Sequence, residues 1–235
     1  MGADELTLKG TRDVVTATDV AVEDAIRRLV GETRLLIVGE ERGGELPADG
    51  SAYWLVDPIC GTRNFASGIP LYCVNLALVE DDRVTVAVVG DPSTGEIDVA
   101  EAGSGTWSVK DGGRRRLGTS PESETIVIED SHATGIRREQ AALFFADAIR
   151  SNQWDIRALS TTLSLAYVAA GRVAAYVLFW ASAIHTAAGS LLAAEAGATV
   201  SDVGGRPWTI HSDSIIASAT PGLHANLLEL ARVTS

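Results

Sequence analysis

Long apolar runs, a leader-like start, abundant cysteine and an excess of positive charge are all missing from this chain of 235 residues. No run approaches the roughly 18–20 apolar residues that span a bilayer. The opening MGADELTLKGTRD has no basic start followed by an apolar stretch, which predicts no secretory signal. Leu6 stands where Ser or Thr would be needed for myristoylation of Gly2. Two cysteines, Cys60 and Cys73, are too few for a disulfide framework, so both are expected as reduced thiols and the protein as cytoplasmic. A net charge of −12 disfavours sequence-independent binding to nucleic acid or to an anionic membrane. Positive charge is instead local, at Arg114, Arg115 and Arg116 and at Arg137 and Arg138.

What is present reads as one folded unit without repeats or long linkers. TATDVAVEDAIRRLVGET has helical spacing, with Val20, Ala21, Ile26, Leu29 and Val30 predicted on one apolar face. RLLIVGEE and AYWLVD read as buried strands, the second stopped by Pro58. CVNLALV and RVTVAVVGD predict a hairpin turning at residues 80–82, and GTWSVKDGGRRRL another turning at Asp111-Gly112-Gly113. Beyond residue 118 the pattern alternates helix and strand. An α/β class with helices layered on sheets follows, as an N-terminal α+β half over 1–118 and a C-terminal α/β half over 119–235, tightly packed together.

Acids gather at the predicted strand ends. Asp13 and Asp19 flank a helix entrance, with Thr16 and Thr18 as capping candidates. Glu40 and Glu41 end one strand and Asp57 the next. Convergent carboxylates of this kind suit Mg²⁺, which takes oxygen ligands.

In order along the chain, DVVTATD, IVGEE, WLVDPICGTRNF and HTAAGSLLAAEAGATVSDVGGRPW resemble the successive motifs of the inositol monophosphatase superfamily. The resemblance implies a layered α/β/α/β/α sandwich. It also implies that Glu40, Asp57 and the Ile59 carbonyl match the ligands of a first Mg²⁺. Thr62 matches the residue that orients the attacking water with that glutamate, and Asp19 an acid that holds a further metal through water.

The departures from the pattern weigh as much as the matches. Cys60 stands for the second aspartate of D-P-I-D, His185 for the aspartate of W-D-x-A-A-G, and Ile184 for the tryptophan before it. A sugar-binding acid falls on Leu178. The first two lost acids belong to a second Mg²⁺ that Asp57 would bridge, and thiol and imidazole are poor ligands for Mg²⁺. The same substitutions predict that Cys60 and His185 face one another within roughly 5 Å, the geometry of a nucleophile and its base. Backbone N–H groups of GTRNF are expected to lower the thiol pKa and form an oxyanion hole. The start of a helix is expected to keep His185 neutral. Asp57 or Asp91 would orient the imidazole.

A chain of this superfamily with such a Cys–His–Asp set is similar to the Dieckmann cyclases of tetramate and pyridone assembly lines. That resemblance implies an acyl-enzyme on Cys60, no cofactor, and Glu40 and Asp57 as only vestigial metal residues. It implies an acyl or peptidyl carrier protein as partner, docked on the arginine clusters, and allows a homodimer. The alternatives are a phosphatase working with one Mg²⁺ at Glu40 and Asp57, and a non-catalytic ligand-binding descendant.

Overall fold

The computed structural model describes residues 7–8, 14–47, 49–129 and 134–233; Asp13 lies outside them. An antiparallel pair, β1 (Thr7–Leu8) and β2 (Val14–Val15), precedes helix α1 (Ala17–Val30). A seven-stranded sheet follows in chain order: β3 (Leu36–Gly39), β4 (Tyr53–Cys60), β5 (Cys73–Glu80), β6 (Arg83–Asp91), β7 (Glu96–Glu101), β8 (Gly105–Lys110) and β9 (Gly113–Arg116). Only β3 and β4 run parallel in it. The short helix α2 (Thr62–Ala66) sits between β4 and β5.

The rest of the chain forms β10 (Thr125–Glu129), α3 (Gly135–Ser151), β11 (Asp155–Arg157), α4 (Leu163–Ala169), β12 (Ala175–Leu178), α5 (Ala183–Glu195), β13 (Thr199–Ser201), β14 (Ile215–Ser218) and α6 (Pro221–Val233). Its five strands are ordered β11-β10-β12-β14-β13. α5 contacts strands β4 to β8 of the larger sheet and β13 and β14 of the smaller one, with α4 beside it. α1 covers the far face of the first sheet at β4, while α3 and α6 pack together behind the second. The expected α/β/α/β/α layering is therefore observed. The two sheets bury their apolar faces against the α4–α5 layer, which carries Leu163, Ala166, Ala187 and Leu192 into one core cluster with Leu55, Ala77 and Val89.

Local departures from the sequence reading have physical causes. α1 is closed by a capping box between Thr16 and Asp19, as its sequence suggests. Its buried stripe is Asp19, Glu23 and Ile26, however, and Leu29 is 73% exposed. The predicted apolar face is thus corrected: two acids at i and i+4 point inward because partners await them. Glu23 accepts from Arg27 Nε at 2.8 Å, from the Glu41 amide at 2.6 Å and from the Arg42 amide at 3.1 Å. A Cβ at position 39 would lie 2.0 Å from Glu23 Oε1, so glycine there is what lets α1 seat against β3. The hairpins turn where predicted, on left-handed Asp81 and Asp82 and on Asp111 and Gly112. β7 and β11 carried no clear pattern, since their outward positions are only partly covered.

α6 is fastened by His224, whose ring nitrogens lie 2.9 Å from Ser201 Oγ and 3.1 Å from Ser218 Oγ. Burial holds its pKa below the ordinary value. A histidine with a lowered folded pKa contributes stability that is whole above its unfolded pKa, about 6.5, and is lost as pH falls below it. Chemical denaturation between pH 7.5 and 5.5 should show this decline, and His224→Gln should flatten it. An equal decline in the variant would assign the slope to other groups.

Candidate active site

The site is built where β4 ends. The β4–β5 register runs from Asp57↔Asn75 to Cys60↔Cys73, three residues against two, so a bulge falls at Pro58-Ile59. In a regular strand, residues three apart face opposite sides. The bulge turns Asp57 and Cys60 to the same side, and Pro58, with no N–H to donate, is suited to it. The strand thus continues through Pro58 to Cys60 instead of stopping before it. Gly61 follows with φ of 103° and lets the chain enter α2.

On that side stand three ligand-bearing groups. Asp57, Cys60 and His185 each offer an atom, and these atoms all lie within 4.8 Å of one another. The expected juxtaposition of Cys60 and His185 is therefore present. His185 comes from the first turn of α5, and its Nδ1 is 2.8 Å from Asp57 Oδ2. Asp57 is thus the aspartate beside the imidazole. Asp91 is not paired with it: its Oδ1 accepts from the Ser93 amide, the Ser93 hydroxyl and the Thr94 amide in a local turn. Asp91 as orienting residue is corrected accordingly.

Two neighbours were not singled out from the sequence. Asn75 is buried, and its Nδ2 lies 3.3 Å from Asp57 Oδ2, 3.0 Å from Thr162 Oγ1 and 3.3 Å from the His185 carbonyl. Thr162, just before α4, places its hydroxyl 2.8 Å and its amide nitrogen 3.3 Å from Cys60 Sγ. A lone amide in the buried strand CVNLALV was the available signal for Asn75. Thr162 gave none, because its role depends on α4 meeting β4.

The electrostatics reverse two expectations. The Cys60 thiol is pushed well above its ordinary pKa by the Cys73 thiol beside it, by burial and by the charge of Asp57, with His185 opposing weakly. The lowering expected from GTRNF is outweighed. Burial works against a charged His185, yet the charge and hydrogen bond of Asp57, with Cys60 adding to them, raise its pKa well above the usual value. The helix start does not keep the imidazole neutral; the carboxylate favours the imidazolium.

A second group of oxygens lies on the β3 side. Gly39 pairs with Val56 in the parallel β3–β4 register, and the Glu40 amide donates to the Val56 carbonyl at 3.0 Å. Glu40, just past β3, and Asp57, at the bulge of β4, therefore lie on adjacent strands at the same level. Thr62 Oγ1 is 3.0 Å from both the Ile59 carbonyl and Asp19 Oδ1. Asp57 Oδ1 is buried with no hydrogen-bond partner. An orphaned carboxylate oxygen among such groups fits a hard divalent cation. Cys60 and His185, on the other side of Asp57, do not fit Mg²⁺.

Of the arginine clusters, Arg114, Arg115 and Arg116 are exposed on β9. Arg114 and Arg116 lie over the Trp107 ring at 3.9 and 5.8 Å, and Arg137 pairs with Asp213. No helix among the described residues is long and apolar enough to cross a membrane.

The inositol monophosphatase family model matches residues 2–234. The inositol-1-monophosphatase ImpA of Mycolicibacterium smegmatis is 32% identical over 99% of this chain and 85% of its own. The Nus factor SuhB of Pasteurella multocida is 33% identical over 92% of this chain and 81% of its own. The crystal structure of suhB from Bartonella henselae superposes with a TM-score of 0.87 at 28% identity, covering 97% of this chain and 88% of that one. These findings correct the expectation of a Dieckmann cyclase: relatives along nearly the whole chain bear phosphatase or Nus-factor names. The Cys–His–Asp acyltransferase chemistry, the carrier-protein partner and the tetramate and pyridone products fall with it. Fold, motif order and sequence relatives agree, and the chain belongs to the inositol monophosphatase family.

Proposed function

We propose that this protein is a phosphomonoesterase working with one hard divalent cation, Mg²⁺ by its donor set, at Glu40, Asp57 and the Ile59 carbonyl. The observation that carries this reading is the buried, unpartnered Asp57 Oδ1. When bound, such a cation polarises a phosphoryl oxygen and offsets the charge that develops on it. The protein's own groups supply position. Asp19 and the Ile59 carbonyl fix the Thr62 hydroxyl, which together with Glu40 aligns a water for attack on phosphorus. Glu40 takes that water's proton as its oxygen bonds to phosphorus, the ester P–O bond breaks, and the departing alkoxide takes a proton from solvent as phosphate is released.

The alcohol is not a polyol in this reading. Leu178, in place of a sugar-binding acid, is buried in the core. Ile184, next to His185, lines a cavity of about 390 Å³ with Val38, Leu55 and Ile210. An ester with an apolar body matches that lining. Phosphate release from aryl, alkyl and inositol phosphates, measured with Mg²⁺ and with EDTA, tests the proposal. Release with Mg²⁺ should exceed background, fall to it with EDTA and favour the apolar esters. No release from any ester at saturating Mg²⁺ would end the phosphatase reading.

A further inference from the structure

We infer that Asp57, Cys60 and His185 form a binding site for a borderline-soft divalent cation, Zn²⁺ by its donor set, beside the position proposed for Mg²⁺. A carboxylate oxygen, a thiol sulfur and an imidazole nitrogen already lie within 4.8 Å of one another. Tetrahedral Zn²⁺, with bonds of roughly 2.0–2.3 Å, holds its ligands about 3.3–3.8 Å apart, so a closure of about an ångström completes three of the four positions. The selection is chemical: one sulfur and one nitrogen disfavour Mg²⁺ and Ca²⁺ and suit Zn²⁺ or Co²⁺.

The surroundings are those of a supported site. Thr162 presents its amide and hydroxyl to the sulfur, which suits a thiolate. Asn75 steadies Asp57 and the His185 backbone. Asp57 has one oxygen against His185 and the other, Oδ1, buried without a hydrogen-bond partner. Binding forms metal–sulfur, metal–nitrogen and metal–oxygen bonds and releases the thiol proton and any proton that His185 holds beyond its neutral form. No electrons are transferred. The His185 Nδ1···Asp57 Oδ2 contact opens as the metal enters. Three protein ligands leave the fourth position open, as in catalytic zinc centres. Only the use of that position by a phosphate oxygen rests on the phosphatase reading; the site itself does not.

The test is a titration of the purified, metal-stripped full chain with Co²⁺, followed by absorption, then by displacement with Zn²⁺. A stoichiometric species with intense visible bands of tetrahedral Co²⁺ and a near-ultraviolet thiolate-to-cobalt band is expected. Cys60→Ser should abolish the charge-transfer band and weaken binding about tenfold or more, and His185→Gln should weaken it similarly. Cys73→Ser should keep the band. Thermal melts establish that each variant folds; should Cys60→Ser not fold, the His185→Gln and Cys73→Ser spectra decide. A pale octahedral spectrum from the natural protein, or a charge-transfer band lost with Cys73 and kept without Cys60, would overturn the site. Phosphate release enters none of these readouts, so the site can fail while the phosphatase reading stands, and the reverse.

Discussion

Asp57→Asn is expected to lose both phosphate release and stability. Its Oδ2 holds His185 at 2.8 Å, and its Oδ1, buried without a hydrogen-bond partner, is the oxygen that the proposed cation would use. Asparagine keeps the shape and removes the charge. Losing a Lewis acid worth several kcal/mol should lower kcat/KM about 10²–10⁴-fold at saturating Mg²⁺. Breaking a buried pair by removing one partner costs about 3–5 kcal/mol, but the His185 side chain is 21% exposed and can shed its proton, so about 1–3 kcal/mol is expected. The pH dependence has a definite sign. His185 has its folded pKa raised, so the pair's contribution is whole below the unfolded pKa of about 6.5 and fades as pH climbs through the higher folded value. The gap in stability between natural protein and variant should therefore be widest in mild acid and narrow in alkali. A variant that keeps the natural rate would remove Asp57 from the metal position.

The second large effect comes from restoring what the family motif contains. Cys60→Asp with His185→Asp replaces sulfur and nitrogen by carboxylate oxygen within the same 4.8 Å cluster. Three carboxylates that close repel strongly unless a cation joins them. The double variant should therefore melt earlier than the natural protein in EDTA and gain stability steeply as Mg²⁺ is added. A second hard cation beside the first should raise Mg²⁺-dependent phosphate release about 100-fold, the equivalent of about 2.7 kcal/mol. The cobalt charge-transfer band should vanish with the thiol. An unchanged rate at saturating Mg²⁺ would mean that something other than ligand exchange at this position limits the reaction.

The fold and the gathering of acids near β4 were legible because their signals are local. Asp19 opens α1, Glu40 follows β3 and Asp57 lies at the bulge of β4, and the exchanges at residues 60 and 185 pointed to two distant segments meeting. What stayed hidden depends on packing between elements. Asn75 and Thr162 acquire their roles only where β5 and α4 reach the end of β4. The inward face of α1 was misjudged because hydrophobic spacing cannot reveal that a buried carboxylate will find amides eighteen and nineteen residues onward. Asp91 was misjudged for the opposite reason: a local turn holds its Oδ1 through residues 93 and 94, and the distant histidine pairs with Asp57 instead. The reactive-thiol reading relied on the backbone amides of GTRNF to lower the thiol pKa, whereas the neighbouring Cys73 thiol, burial and the charge of Asp57 raise it.

The space left by Gly39 has a consequence for how this chain can change over time. Glu23 Oε1 stands where any side chain at position 39 would begin, and the same carboxylate anchors the two amides just beyond Glu40. Positions 23 and 39 are therefore physically coupled. Enlarging residue 39 alone expels the carboxylate, shortening residue 23 alone orphans its amides, and each step is unfavourable without the other. The segment behind Glu40 is therefore closed to change at either position alone.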